Sequence, residues 1–127
     1  MVKRLLLPQE IETFYVIPSI RKYLAIAMKK NGMRQKDIAE IMMVNSAAIS
    51  QYTSQKRGNK VTFGKEIKSE IEKSAKMVVD QQTYVQETQR LLRVIRTSCT
   101  LCEIQKKYTD LSMDCSPEIM NCKEEGM

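Results

Sequence analysis

The chain has no histidine, only four glycines and three prolines in 127 residues, and no cysteine before residue 99. Without imidazole it lacks the commonest side chain for acid–base work near neutral pH and the commonest nitrogen ligand, so a metal would have to be held by thiolates, with or without a carboxylate. Few turn formers and no hairpin signature point to an almost wholly helical protein. No apolar run approaches the roughly 18 residues of a membrane-spanning helix. The three leucines near the N-terminus fall short of the roughly 7 to 15 apolar residues of a signal peptide. These absences lead to the expectation of a soluble, cytoplasmic chain with no membrane partner. Internal repeats and low-complexity segments are absent as well, and the length leaves no room for two catalytic domains.

Apolar residues recur at three- and four-residue spacing, and 43% hydrophobic content is enough for a compact core. A first short helix is predicted over about residues 9–16, with Ile11, Phe14 and Tyr15 on its apolar stripe, and Pro18 is expected to restart the chain. The next helix, about residues 19–31, places Ile20, Tyr23, Leu24, Ala27 and Met28 on one face and stops at Gly32. Two short helices follow, about residues 34–42 and 46–54, and then a basic turn of Lys56, Arg57, Gly58, Asn59 and Lys60. Thr62 is expected to cap a helix starting near Gly64 with Ile67, Ile71, Ala75 and Val78 along one face. A long helix over about residues 82–107 and a short one opening at Ser116, Pro117 and Glu118 complete the reading.

Charge is divided unevenly. Residues 1–64 hold 11 Lys and Arg against 4 Asp and Glu, whereas residues 65–127 hold 10 against 11, so the net +6 of the chain comes entirely from the first half. A basic half next to two short helices draws attention to the segment from Gln35 to Ser54. There Ile38, Met42, Val44, Ile49 and Tyr52 are spaced to fill the wedge between the two helices, and Ala39 is small where the helices approach. Asn45 or Ser46 can cap the second helix, which then exposes Ser46, Ala47, Ser50 and Gln51, short or amide side chains of the kind that read base edges in a major groove.

With Gln35, Ile38-Ala39, Ile49-Ser50-Gln51-Tyr52, Lys56-Arg57-Gly58 and the upstream Ile17-Pro18-Ser19-Ile20-Arg21, the segment over about residues 8–64 resembles the helix-turn-helix regulators of the phage-repressor (XRE) type, and more narrowly small archaeal regulators with a C-terminal cysteine cluster. The resemblance implies double-stranded DNA as the partner and transcription regulation as the role. It implies that Gln35 contacts a phosphate and that Ser46, Ala47 and Gln51 face bases, with Lys56, Arg57 and Lys60 placed for further phosphate contacts. The chain departs from the family at Met43, which stands at a turn position that is often glycine.

All four cysteines, Cys99, Cys102, Cys115 and Cys122, lie in the last 29 residues, separated by two, twelve and six residues. Such clustering in a chain expected to be cytosolic favours one shared metal or redox site over structural disulfides. Zinc ribbons prefer a second closely spaced pair, which is missing here, so an iron–sulfur cluster is favoured and structural zinc is the alternative. Inert buried cysteines or a redox-switched disulfide stay open. A thiol oxidoreductase using Cys99 and Cys102 is disfavoured, because the chain has no histidine and no strand–helix alternation, and no enzymatic activity is expected. Val85, Leu92 and Cys99 repeat every seven residues, with Ile95 and Cys102 on the companion seam, which predicts a homodimer. The combined expectation is an all-α protein. Residues 1–64 form a helix-turn-helix DNA-binding domain and residues 65–127 a helical dimerisation region whose four-cysteine site senses redox state, oxygen or iron.

Overall fold

The computed structural model describes residues 7–54, 61–98, 100, 103 and 104, and among them every regular element is helical. The chain runs through α1 (Pro8–Ile11), a π-helical turn (Glu12–Val16), α2 (Ile17–Lys30), α3 (Gln35–Met42), α4 (Ser46–Thr53), α5 (Lys65–Met77) and α6 (Gln81–Thr97). The basic turn at 56–60, the short helix expected at 116–118 and all four cysteines lie outside the described residues. No helix among the described residues is long and apolar enough to cross a membrane.

The break expected at Pro18 does not occur. Ile11, Val16 and Ile17 all keep right-handed helical dihedrals, and residues 8–30 form one continuous helical rod. Its π-helical turn closes with the N–H of Ile17 donating to the carbonyl of Glu12, five residues back. Proline inside an α-helix loses a hydrogen bond and collides with a carbonyl four residues back. The wider turn immediately upstream shifts those carbonyls and accommodates both effects. Ser19 Oγ donates to the carbonyl of Tyr15 at 2.9 Å, which satisfies a further acceptor beside the proline.

α2 is the central element, packed against α4 and α5 and touching α3, while α5 lies along α6. Ile20, Leu24 and Met28, spaced by four along α2, are fully buried together with Ile38, Ile49, Phe63, Ile71, Leu91 and Ile95. These residues belong to one apolar cluster that extends from Ile11 to Ile104, so residues on both sides of position 64 share a core. Each such side chain contributes about 1.5–3 kcal/mol on burial.

Helix ends are closed mainly by local chemistry. At the end of α2, Gly32 (φ 99°) allows the N–H of Met33 to reach the carbonyl of Met28 at 3.1 Å. α6 opens on a reciprocal cap: Asp80 Oδ1 accepts from the N–H of Thr83 at 2.8 Å, and Thr83 Oγ1 accepts from the N–H of Asp80 at 3.0 Å. α5 differs from expectation, because its cap is the extended Gly64 (φ −70°, ψ 173°) and not Thr62. α6 ends at Thr97, where Ser98 turns out of the helix; helical conformation recurs at Thr100, Glu103 and Ile104.

The expected dimer seam is corrected in the same region. Leu92 and Ile95 are buried within the subunit's own core beside Leu91, and Val85 is left 56% exposed. A seven-residue repeat drifts only about 20° per heptad from the ordinary helical period, so over two heptads it marks a face that packs on a neighbour without saying whose neighbour. Here α5 of the same chain takes that face.

Across the α5–α6 contact, Arg90 of α6 meets Glu70 and Ser74 of α5 and also Glu87 of its own helix. Its Nη1 meets Glu70 Oε1 at 2.7 Å, its Nη2 donates to Ser74 Oγ at 2.6 Å and its Nε donates to Glu87 Oε1 at 3.1 Å. Ser74 Oγ in turn donates to Glu87 Oε1 at 2.8 Å. Hydrogen bonds from Arg90, and then from Lys73, hold the Glu70 carboxyl below its ordinary range. A carboxylate with a lowered folded-state pKa stabilises the fold above its unfolded value of about 4.3 and loses that contribution as pH falls through the folded value. Stability should therefore decline below about pH 4.3, and Glu70→Gln should flatten that decline. Asp80, lowered by its bonds from Thr83, adds to the decline. Urea melts of both proteins across the acid range check this, and parallel acid limbs would contradict it.

Candidate nucleic-acid interface

α3 and α4 are joined by three residues, and the wedge between them forms from the side chains that the sequence singles out. Ile38, Ala39, Met42, Ile49 and Tyr52 are buried, and Val44 packs partly buried against them. Asn45 is the cap of α4: its side-chain oxygen accepts from the N–H of Ala48 at 2.8 Å. With Ala48, Ile49 and Tyr52 committed to the interior, Ser46, Ala47, Ser50 and Gln51 are all exposed.

Gln35 stands at the first position of α3, and its Nε2 donates to the carbonyl of Ser46 at 3.0 Å. That bond ties the first turn of α3 to the first turn of α4 and fixes one helix against the other. An amide nitrogen carries two hydrogens, so one remains for a phosphate oxygen at the same place. Two exposed cations, Arg34 and Lys36, flank Gln35 in sequence, and Arg34 Nε donates to Asp37 Oδ2 at 3.1 Å. Sequence reasoning passed over these two. Their signal is adjacency to the first residue of the motif.

The turn between α3 and α4 uses the same closure as the end of α2. Met43 adopts the left-handed region (φ 56°, ψ 43°), and the N–H of Val44 reaches back to the carbonyl of Ala39 at 3.0 Å. A conformation that glycine adopts most readily is thus held by a residue with a side chain, and that side chain is 76% exposed.

A second tie to α3 comes from the other half of the chain. Gln81, the first residue of α6, donates through Nε2 to the carbonyl of Glu40 at 3.1 Å. Nothing in the local pattern announces it, because the partners are 41 residues apart. Farther along α6, the hydroxyl of Tyr84 accepts from Arg21 Nε at 3.4 Å, and Arg96 Nη2 pairs with the buried Glu12 Oε2 at 3.1 Å.

Lys56, Arg57 and Lys60 lie outside the described residues, as do Cys99, Cys102, Cys115 and Cys122. Their described neighbours nevertheless meet. Ser98, Thr100, Glu103 and Ile104, which flank the first two cysteines, line a cleft of about 500 Å³ with Val61, Thr62 and Gly64, which follow the basic turn. Ile104 is buried in the common core. Among the described residues no group of three acidic or sulfur side chains is placed to hold a metal.

No protein-family model, curated protein or solved structure matches the chain. Function is therefore read from the chemistry of the α3–α4 surface and of the residues around it.

The left-handed conformation costs a non-glycine residue about 1–2 kcal/mol, partly offset by the roughly 0.5–1 kcal/mol of extra chain entropy that glycine loses on folding. Met43→Gly should stabilise the protein by about 0.5–1 kcal/mol, read as a higher urea midpoint at unchanged slope. A lower midpoint would mean that the exposed methionine makes contacts this geometry does not contain.

Proposed function

We propose that the chain is a sequence-specific transcription regulator that binds double-stranded DNA through a helix-turn-helix formed by α3 and α4. The observation that carries this reading is the surface of α4. Its inner side is locked onto α3 and α2, and its outer side presents Ser46, Ala47, Ser50 and Gln51 with no acidic residue on the helix. A helix of this kind fits a major groove, with short side chains against base edges. Gln35 with its spare hydrogen, Arg34, Lys36 and the basic turn of Lys56, Arg57 and Lys60 supply groups for the phosphates on either side.

Affinity should fall steeply as salt rises, because cations that neutralise phosphates release counterions. Lys56→Ala and Arg57→Ala should each weaken binding to all sequences and reduce the slope of log affinity against log salt by about one. Ser46→Ala should instead alter discrimination between sequences with little change in slope. Fluorescence anisotropy on duplexes at several salt concentrations separates the two effects. Equal, salt-independent losses in all three variants would contradict the assignment. Pairing of two copies would set two α4 helices on successive groove faces, and with Leu92 and Ile95 committed to the core that pairing has to use other surface.

The regulatory half of the reading rests on the four clustered cysteines, which we propose hold one iron–sulfur cluster, with structural zinc as the alternative. What supports a link to DNA binding is the shared cleft, where residues beside Cys99 and Cys102 meet the segment that leaves the basic turn. Ordering or releasing the cysteine segment would act on that segment directly. Protein purified without oxygen should contain iron and sulfide, and any single Cys→Ser change among the four should lower both while α1 to α6 remain folded by circular dichroism. Zinc without iron or sulfide, together with unchanged DNA affinity after exposure to air, would replace the sensor by a structural site.

A further inference from the structure

On the reading of α4 as a recognition helix, we infer that the half-site it reads is built from A·T pairs, with an adenine opposite Gln51 and a thymine opposite Ala47. At about 100° per residue, Ser46, Ser50, Ser54, Ala47 and Gln51 follow one another around roughly 140° of arc. All five are exposed. α4 carries no acidic or basic residue at any position.

The chemistry of base edges makes that absence informative. Guanine is most often read by the paired donors of arginine or lysine on O6 and N7, and cytosine by a carboxylate accepting from N4. α4 offers neither. What it offers is one amide, which can donate to adenine N7 while accepting from adenine N6, and one methyl group, which packs on the 5-methyl of thymine. Ser46 and Ser50 can donate or accept and so add no preference of their own.

Competing uses of these side chains are accounted for in the structure. Thr53 Oγ1 is turned onto the carbonyls of Ile49 and Ser50, at 3.1 and 3.3 Å, and Ser54 Oγ onto the carbonyl of Gln51 at 3.4 Å. The Gln35 amide reaches the carbonyl of Ser46 and leaves that residue's hydroxyl free of it. Gln51 and Ala47 therefore remain as the discriminating pair, on a helix whose orientation is fixed from its opposite side.

The test is enrichment of the full chain's preferred duplexes from a random-sequence library, followed by affinity measurements on the enriched sequence. The expected half-site contains adenine and thymine at the positions under α4. Replacing its thymines by deoxyuridine, which removes only the methyl groups, should weaken binding several-fold. Gln51→Arg should exchange adenine for guanine as the preferred base at one position, with discrimination on the order of tenfold. Because Gln51 is exposed, that variant keeps the fold, and a change of preference is not something a structural role would produce. A G·C-rich half-site, or no loss with deoxyuridine and no change with Gln51→Arg, overturns the inference. Salt-dependent binding with no enriched sequence overturns it too while leaving DNA binding in place. Failure to bind any duplex removes the DNA reading itself.

Discussion

The burial of Ile49 and Tyr52 between α2 and α3 is the constraint on which the rest of the α3–α4 surface depends. Those two side chains and Ala48 fix which side of α4 faces inward, and the exposed set follows from helical geometry. The contribution of about 1.5–3 kcal/mol per buried apolar side chain exceeds the cost of a left-handed Met43. The turn can therefore hold a residue that its conformation disfavours. Gln35 and Asn45 then act at the rim of the wedge, one joining the two helices and the other closing the first turn of α4.

Helix content and the wedge were legible in the sequence because both rest on short-range spacing. Ile38, Ala39, Met42, Ile49 and Tyr52 stand where the three- and four-residue pattern puts them, and Gly32 ends α2 as its conformational freedom predicts. Pro18 was not legible, since whether a proline breaks a helix depends on the hydrogen-bond pattern upstream, and a π-helical turn has no compositional mark. Leu92 and Ile95 were misassigned for another reason: a stripe on a helix states that something packs there, and only the fold says that α5 does. Arg90 reaches Glu70 and Ser74 across 20 and 16 residues, so no local pattern contains those two bonds, and only its i,i+3 pair with Glu87 is local. For the candidate site, Ser46, Ala47, Ser50 and Gln51 are found exposed as expected. Gln35 gains a partner in Ser46 that its position alone did not disclose.

α6 connects regions that the sequence keeps apart. Its first residue is bonded to the last turn of α3, its first turn also to α2 through Tyr84 and Arg21, and its last turn to the π-helical turn through Arg96 and Glu12. Ile104 returns to the core just after Cys102 and shares a cleft with the residues that leave the basic turn. On the proposed sensing role, a change at the cysteines would have two routes to the α3–α4 surface, one along the length of α6 to Glu40 and one through residues 61–64. Bonds of this kind transmit a change only if the element they join has two arrangements.

The most direct test of the account is a residue-by-residue map of the amide signals of the full chain by NMR as duplex DNA is added. The account predicts that the largest perturbations fall on Gln35 and on Ser46 through Gln51, with the buried amides of Ile71 and Leu91 unchanged. Perturbations confined to α5 and α6, with α4 silent, would contradict it.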